Sequence, residues 1–197
     1  MDSPLSTKAT SRIQACFLDR DGVLNKKMPE GQYVTQWSEF EVLPEVVEAI
    51  RSLNEAGILV IVVSNQRGIA KGLYAASDVE EMHNRFQSLL KSKGAHIDRF
   101  YFCPHDKVGC DCRKPCPGMF VQARRDFPTL HAKTSVMIGD SLSDIEFGHL
   151  LGMLTIWIEG DKTHPRPGDE KASGLADLRF NSLSQAVAAL LSPRQYA

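Results

Sequence analysis

The sequence lacks what several function classes require. No apolar run approaches the roughly 20 residues that cross a bilayer, and Met1 to Ser11 are Ser/Thr-rich without the apolar core of a signal peptide. An excess of one charge is missing too. The 23 Lys and Arg face 24 Asp and Glu, a formal net charge of −1 with no general pull toward nucleic acid or anionic membrane. No internal repeat and no low-complexity linker divides the 197 residues, so one domain with a full core is expected. Hydrophobic residues at 43% and charged residues at 24% sit near globular averages, which confines disorder to the ends. Residues 1–12 are read as a flexible N-terminus and 13–191 as the domain. The expectation is a cytoplasmic monomer without nucleic-acid or membrane partners.

Cysteine is present, but in an odd number. Of the five (Cys16, Cys103, Cys110, Cys112, Cys116), four fall within 14 positions. In a reducing compartment that clustering points to metal rather than disulfides. Cys103-x-His105-x4-Cys110-x-Cys112 offers three thiolates and one imidazole, a tetrahedral set for Zn2+ with no open position, hence a structural role. Four ligands saturate zinc, which leaves Cys116 out. Cys16 sits in a strand and is read as a small buried hydrophobe.

The pattern along the chain is α/β. Apolar runs at Ile13–Leu18, Ile58–Val63, Ile97–Phe102, Ser135–Ile138, Leu154–Ile158 and Leu178–Phe180 read as strands. Helical patterns alternate with them: Pro44–Glu55, a helix opened by a Ser77/Glu80 capping box, one through Met119 to Phe127, one ending at Gly152, and Leu183–Leu191. Residues 159–174 read as a loop, and His83 and His96 as surface or boundary residues. Strand–helix alternation predicts a three-layer, Rossmann-like parallel sheet with helices on both faces. The Asn25–Phe40 loop, with Tyr33, Trp37 and Phe40, is either an overhang of the site or a packed surface loop.

In such sheets ligands bind at the carboxyl ends of the strands. Cys16-Phe17-Leu18-Asp19-Arg20-Asp21-Gly22-Val23 runs from a buried strand into two carboxylates and a glycine, and Asn25 lies just beyond. Paired carboxylates bind a hard cation such as Mg2+ and can supply a nucleophile and a proton donor. Ser64 and Asp140 also follow apolar strands directly, so they are expected at the same edge. Asp144 is read as a helix-face residue outside the site.

These residues resemble the haloacid dehalogenase superfamily of phosphotransferases, with Asp19-x-Asp21-Gly, Ser64-Asn65, Lys114 and Gly139-Asp140 in its four motif positions. Within it the chain is most similar to the D-glycero-D-manno-heptose 1,7-bisphosphate phosphatases. Phe17 to Asn25, Ser64-Asn65-Gln66-x-Gly68-Ile69-Ala70-x-Gly72 and Cys112-Arg113-Lys114-Pro115-x-Pro117-Gly118-Met119 carry that resemblance. It departs at Ser64, where Thr is usual, at Ser141, where some members have Lys, and at Arg67, where a small residue is common.

The resemblance implies a Mg2+-dependent phosphatase that works through an aspartyl-phosphate on a haloacid dehalogenase-like fold. The stretches between motifs are too short for a separate cap domain. Asp19 would be the nucleophile, Asp21 the proton shuttle, and Ser64 and Lys114 would stabilise the transferring oxygens. Asp19, Asp140 and the backbone carbonyl of Asp21 would hold Mg2+. Arg20, Asn65, Gln66, Arg67 and Arg113 would bind substrate, a small sugar phosphate. The implied reaction removes the C7 phosphate of the heptose bisphosphate, giving heptose 1-phosphate for nucleotide-activated heptose and envelope lipopolysaccharide. Histidinol-phosphate phosphatase, nucleic-acid-end phosphatase and an inert zinc-stabilised interaction domain stay open as alternatives.

Overall fold

A computed structural model describes residues 13–106, 109–159 and 168–192; the N-terminal segment 1–12 read as flexible lies outside them. The strands are β1 (Ala15–Leu18), β2 (Leu59–Asn65), β3 (Arg99–Cys103), β4 (Ser135–Gly139), β5 (Leu154–Ile158) and β6 (Leu178–Phe180). The helices are α1 (Val46–Glu55), α2 (Arg67–Ala70), α3 (Ala76–Ser92), α4 (Gly118–Asp126), α5 (Leu142–Leu151), α6 (Asp169–Leu175) and α7 (Leu183–Leu191). All six strands run parallel, in the order β3-β2-β1-β4-β5-β6.

The three central strands are unbroken apolar runs because both of their faces are covered. Side chains alternate across a strand, so Cys16, Leu18, Val60, Val62, Val136 and Ile138 enter one core. Phe17, Ile61, Val63 and Met137 enter the other. The first core is closed by Ile50 and Leu53 of α1, Phe86 and Leu90 of α3 and Val187 of α7. Met119, Phe120 and Ala123 of α4 close the second with Phe147 of α5. The Phe17 ring sits 5.6 Å from Phe120 and 6.5 Å from Phe147. Helix α5 approaches the sheet closely: a Cβ on Gly148 would lie 2.6 Å from Thr155 Cγ2.

This order places the site. The chain builds outward through β1, β2 and β3, then returns to set β4 on the other side of β1. Loops leaving the carboxyl ends of β1 and β4 therefore part in opposite directions and open a crevice between them. Asp19 follows β1, Asp140 follows β4, and Ser64 is the next-to-last residue of β2.

Several elements differ from expectation. Helix α1 starts at Val46, not Pro44, because Glu45 holds φ of 61°, a left-handed conformation that a helix cannot continue. Helix α3 is not opened by Ser77 and Glu80; Asp78 accepts the Ala75 N–H at 2.7 Å instead. Helix α6 occupies part of the stretch read as a loop, with Ala172 buried beside Ile145 and Trp157. His83 is not a surface residue. It is 5% exposed and stacks on Phe100 at 4.4 Å; burial drives its pKa down to about 3, so it is neutral. Among the described residues no helix is long and apolar enough to cross a membrane.

Candidate active site

The backbone turns as soon as β1 ends. The Asp19 N–H still donates to the Ile138 carbonyl at 3.0 Å, whereas the Leu24 and Asn25 N–H groups fold back onto the Arg20 carbonyl at 2.9 and 3.2 Å. Gly22 makes this turn possible. Its φ is +100°, and a Cβ there would lie 2.1 Å from Asp140 Oδ2, so glycine is required on both counts.

Asp19, Asp140 and Asp144, all buried, bring one carboxylate oxygen each within 4.8 Å of one another. Two ammonium groups face them. Lys114 Nζ lies 2.7 Å from Asp19 Oδ1, 2.6 Å from Asp144 Oδ1 and 2.5 Å from the Val63 carbonyl oxygen. Lys27 Nζ donates to both oxygens of Asp140, at 3.0 and 2.9 Å. Three carboxylates against two ammonium groups leave an excess of negative charge in dry surroundings. Burial accordingly raises Asp19 to about 6, with Asp144 adding to the rise and Lys114 and Lys27 opposing it. Burial likewise raises Asp140 to about 8 against the pull of Lys27. Hard oxygen donors with an unmet negative charge fit a divalent cation such as Mg2+.

Asp144 is thus part of the cluster, not a helix-face residue outside it. It stands in the first turn of α5, where the Ser141 N–H and hydroxyl donate to its Oδ2 at 3.0 and 2.6 Å. Its other oxygen is left for Lys114. The signal was there in the sequence: Ser-x-x-Asp at a helix start turns the acid back toward the strand tip.

Asp21, two residues from Asp19, points elsewhere. Its carboxylate accepts four hydrogen bonds: Arg20 Nε (3.1 Å) and Nη2 (2.9 Å), Asn25 Nδ2 (3.0 Å) and Gln66 Nε2 (3.1 Å). Burial pushes this carboxyl up, but the Arg20 guanidinium and the four donors outweigh it, and Asp21 is held below its usual range. Of the metal set expected from the sequence, the Asp19 and Asp140 carboxylates share the cluster; Asp21, expected to contribute its backbone carbonyl, has its carboxylate engaged by these four donors instead.

The residues expected to bind substrate divide. Arg20 is 1% exposed, its guanidinium over the Phe40 ring at 5.7 Å and its fork on Asp21, so it orients that carboxylate. Asn65 donates to the Lys114 carbonyl at 3.1 Å and accepts the Lys114 N–H at 2.9 Å, which clamps that backbone. Buried Gln66 joins the Ser64 hydroxyl (2.6 Å) and Tyr74 (2.7 Å) to Asp21. Arg67 pairs with Asp106. Arg113 lines a cavity of about 300 Å³, together with Asp19, Asp21, Ser64, Lys114 and residues 27–34. Its Nη1 is buried without a hydrogen-bond partner. The 25–40 loop both overhangs and packs. Its first half walls the cavity, while Trp37 stacks on Phe40 at 5.2 Å and Phe40 meets Phe86 at 5.2 Å.

Beside this cavity the Cys103 and Cys110 sulfurs are 3.6 Å apart. His105 Nδ1 lies 3.6 Å from the Cys103 sulfur and 3.2 Å from that of Cys112. No sulfur pair is bonded. Metal–ligand bonds of about 2.0–2.3 Å in a tetrahedron have edges of about 3.3–3.8 Å, so these four atoms can hold one ion. Sequence reasoning passed over Lys27 and Tyr74, which carry no motif.

A family model described as HAD-hydrolase-like matches residues 111–186. The chain is 39% identical over 168 residues to the D-glycero-alpha-D-manno-heptose-1,7-bisphosphate 7-phosphatase of Mycobacterium bovis, covering 85% of this chain and 86% of that relative. It is 36% identical over 163 residues to the D-glycero-beta-D-manno-heptose-1,7-bisphosphate 7-phosphatase of Rhodopseudomonas palustris, covering 79% and 88%. The crystal structure of D,D-heptose 1,7-bisphosphate phosphatase from B. bronchiseptica, complexed with magnesium and phosphate, matches with a TM-score of 0.78 at 27% identity. That match covers 90% of this chain and 98% of the other.

The raised carboxyls make a prediction for the metal-free protein. As pH rises from about 4 to about 8, the unfolded chain loses these protons before the folded one does, so folding stability from Asp19 and Asp140 falls with rising pH. A bound divalent cation holds both ionised and removes that loss. The increase in melting temperature on adding Mg2+ should therefore grow from pH 5 to pH 8. A constant or shrinking increment would contradict the charge excess.

Proposed function

The chain belongs to the D-glycero-manno-heptose-1,7-bisphosphate 7-phosphatase family of haloacid dehalogenase-like hydrolases, and from that premise we propose that it hydrolyses the C7 phosphate of a heptose 1,7-bisphosphate, leaving heptose 1-phosphate. The observation that carries this reading is the buried Asp19 held by Lys114 at the junction of β1 and β4, facing a sugar-sized cavity.

Lys114 holds Asp19 Oδ1 and so turns the second oxygen toward the phosphorus. As that oxygen attacks, the bond from phosphorus to the sugar oxygen breaks, and the departing oxygen takes a proton from Asp21. Water then attacks the aspartyl-phosphate, Asp21 takes the water's proton, and phosphate leaves. Asp21 must first release one of its four donors. An arriving phosphate supplies the reason, because adjacent negative charge favours the protonated carboxyl. Ser64 accepts from Gln66 and keeps its own hydrogen for a phosphoryl oxygen. Asp19 and Asp140 would hold Mg2+, whose chemistry is neutralisation of charge between nucleophile and phosphate. Asp144 serves this step by steering Lys114.

Arg113 is the cation best placed for the second phosphate, since it reaches the cavity from the loop that also carries Lys114. The Cys103, His105, Cys110 and Cys112 set fits Zn2+ with no position open, a structural ion that aims Arg113 and Lys114. The Arg113 backbone N–H bonds the Cys110 sulfur, tying the ion's shell to that cation.

Three outcomes test this. Asp19→Asn should fold normally and release no phosphate from either heptose 1,7-bisphosphate anomer, and phosphorus NMR of the wild-type product should retain the C1 signal. Turnover by clean Asp19→Asn, a surviving C7 signal, or faster hydrolysis of histidinol phosphate would overturn the proposal. Arg113→Ala removes a charge-assisted contact of about 1.5–3 kcal/mol, so kcat/KM for the bisphosphate should fall about tenfold or more with small monophosphates little affected. Elemental analysis should find about one zinc per chain in the purified protein, lost in Cys110→Ser together with thermal stability; a zinc-free protein that melts normally would refute the structural ion.

A further inference from the structure

Lys27 belongs to no motif, yet it reaches the centre of the site. The backbone at its base is fixed: Asn25 bridges to Val42, and the Lys26 N–H bonds the Glu41 carbonyl at 2.8 Å. From there the side chain crosses to Asp140 and sets its ammonium on both carboxylate oxygens, so it occupies the face of that carboxylate that a cation would use. The two partners differ in exposure. Asp140 is sealed at 4%, whereas Lys27 keeps 31% and lines the open cavity, so the lysine can withdraw and the aspartate cannot.

Charge accounting gives the lysine a role. With all three ionised, Asp19, Asp140 and Asp144 carry three negative charges against the two positive charges of Lys27 and Lys114, a deficit of one positive charge. If a divalent cation replaces Lys27 at Asp140, the cluster becomes neutral. If the lysine stays nearby in the cavity, the site is net positive and attracts an anion. Asp140, Asp19 and Asp144 all act on Lys27, and Asp169 at the start of α6 also feels its charge.

Resting on the magnesium-dependent reading above, we propose that Lys27 is a tethered competitor for the divalent-cation site: it neutralises Asp140 when the site is empty, yields the carboxylate to the incoming cation, and thereby weakens the binding of metal alone. Lys27 is a positioning residue here, acting through Asp140. Its consequence is that free Mg2+ binds less tightly than the donor set would allow.

Titration calorimetry of MgCl2 into substrate-free protein tests this without any turnover. Lys27→Met should bind Mg2+ about tenfold more tightly, about 1.4 kcal/mol, and should widen the gap in melting temperature between metal-free and Mg2+-saturated protein. Lys27→Arg keeps the charge and should stay near the parent, and Lys26→Met, whose lysine pairs with Glu41 on the surface, should match the parent. If Lys27→Met fails to fold, Lys27→Gln carries the same expectation. Unchanged or weaker Mg2+ binding in the charge-free variant, with a normal parent, would overturn the competitor role alone. A parent that binds no Mg2+ would overturn the magnesium reading and the competitor with it.

Discussion

Everything at the carboxyl edge of the sheet depends on keeping like charges together away from water. Two unit charges about 4 Å apart repel by about 4 kcal/mol at an effective dielectric of 20, several times the net value of one hydrogen bond. One carboxylate oxygen each of Asp19, Asp140 and Asp144 lies within 4.8 Å of the others. The cluster persists because Lys114 lies between two of its members and Lys27 covers the third. Removing one partner of a buried ion pair costs far more than the pair contributes, so the position of Lys114 has to be secured by other means. The surrounding structure is organised to do that.

Lys114 comes from the loop before α4, far along the chain from both strand tips it serves. Asn65 at the end of β2 clamps its backbone with a donor and an acceptor, in place of a strand ladder. On the other side the loop is closed tightly: the Gly118 N–H bonds the Asp111 carbonyl at 2.7 Å, and a Cβ on Gly118 would lie 2.4 Å from that oxygen. A metal held by Cys103, His105, Cys110 and Cys112 would cross-link the end of β3 to this loop. It would therefore stiffen the approach of Lys114 and Arg113 without touching substrate.

How much of this the sequence reveals depends on the kind of constraint. Strand tips are legible because a strand covered on both faces must be apolar until it leaves the sheet, so the first polar residue marks the edge. That reasoning places Asp19, Ser64 and Asp140 together. The cluster of Cys103, His105, Cys110 and Cys112 is legible from spacing alone. Side-chain direction after a turn is not, and the polar residues following the strand tips show it. Arg20 and Gln66 look exposed beside a ligand site, yet the folded-back turn at Arg20 and the glycine at position 68, where a Cβ would meet Tyr74 at 2.1 Å, tuck both inward. Lys27 was illegible for a different reason: a lysine in a loop is ordinarily solvated, and only the three-dimensional deficit of positive charge draws it in.

The two aspartates of the first motif show what the protein groups alone do not supply. They are separated by one residue, and their surroundings push them in opposite directions: Asp19 rises to about 6 and Asp21 falls below its usual range. The proposed reaction needs an ionised Asp19 to attack and a protonated Asp21 to donate, so the raised pKa of Asp19 and the lowered one of Asp21 each oppose it. Each component of the reaction favours the form that one of them needs. A cation at Asp140 and Asp19 favours the carboxylate of the nucleophile, whereas the phosphate's own charge beside Asp21 favours its protonated form and loosens the hold of Arg20 and Gln66. On the proposed mechanism neither cation nor substrate alone sets both groups, and hydrolysis would be restricted to the complex that holds the two together.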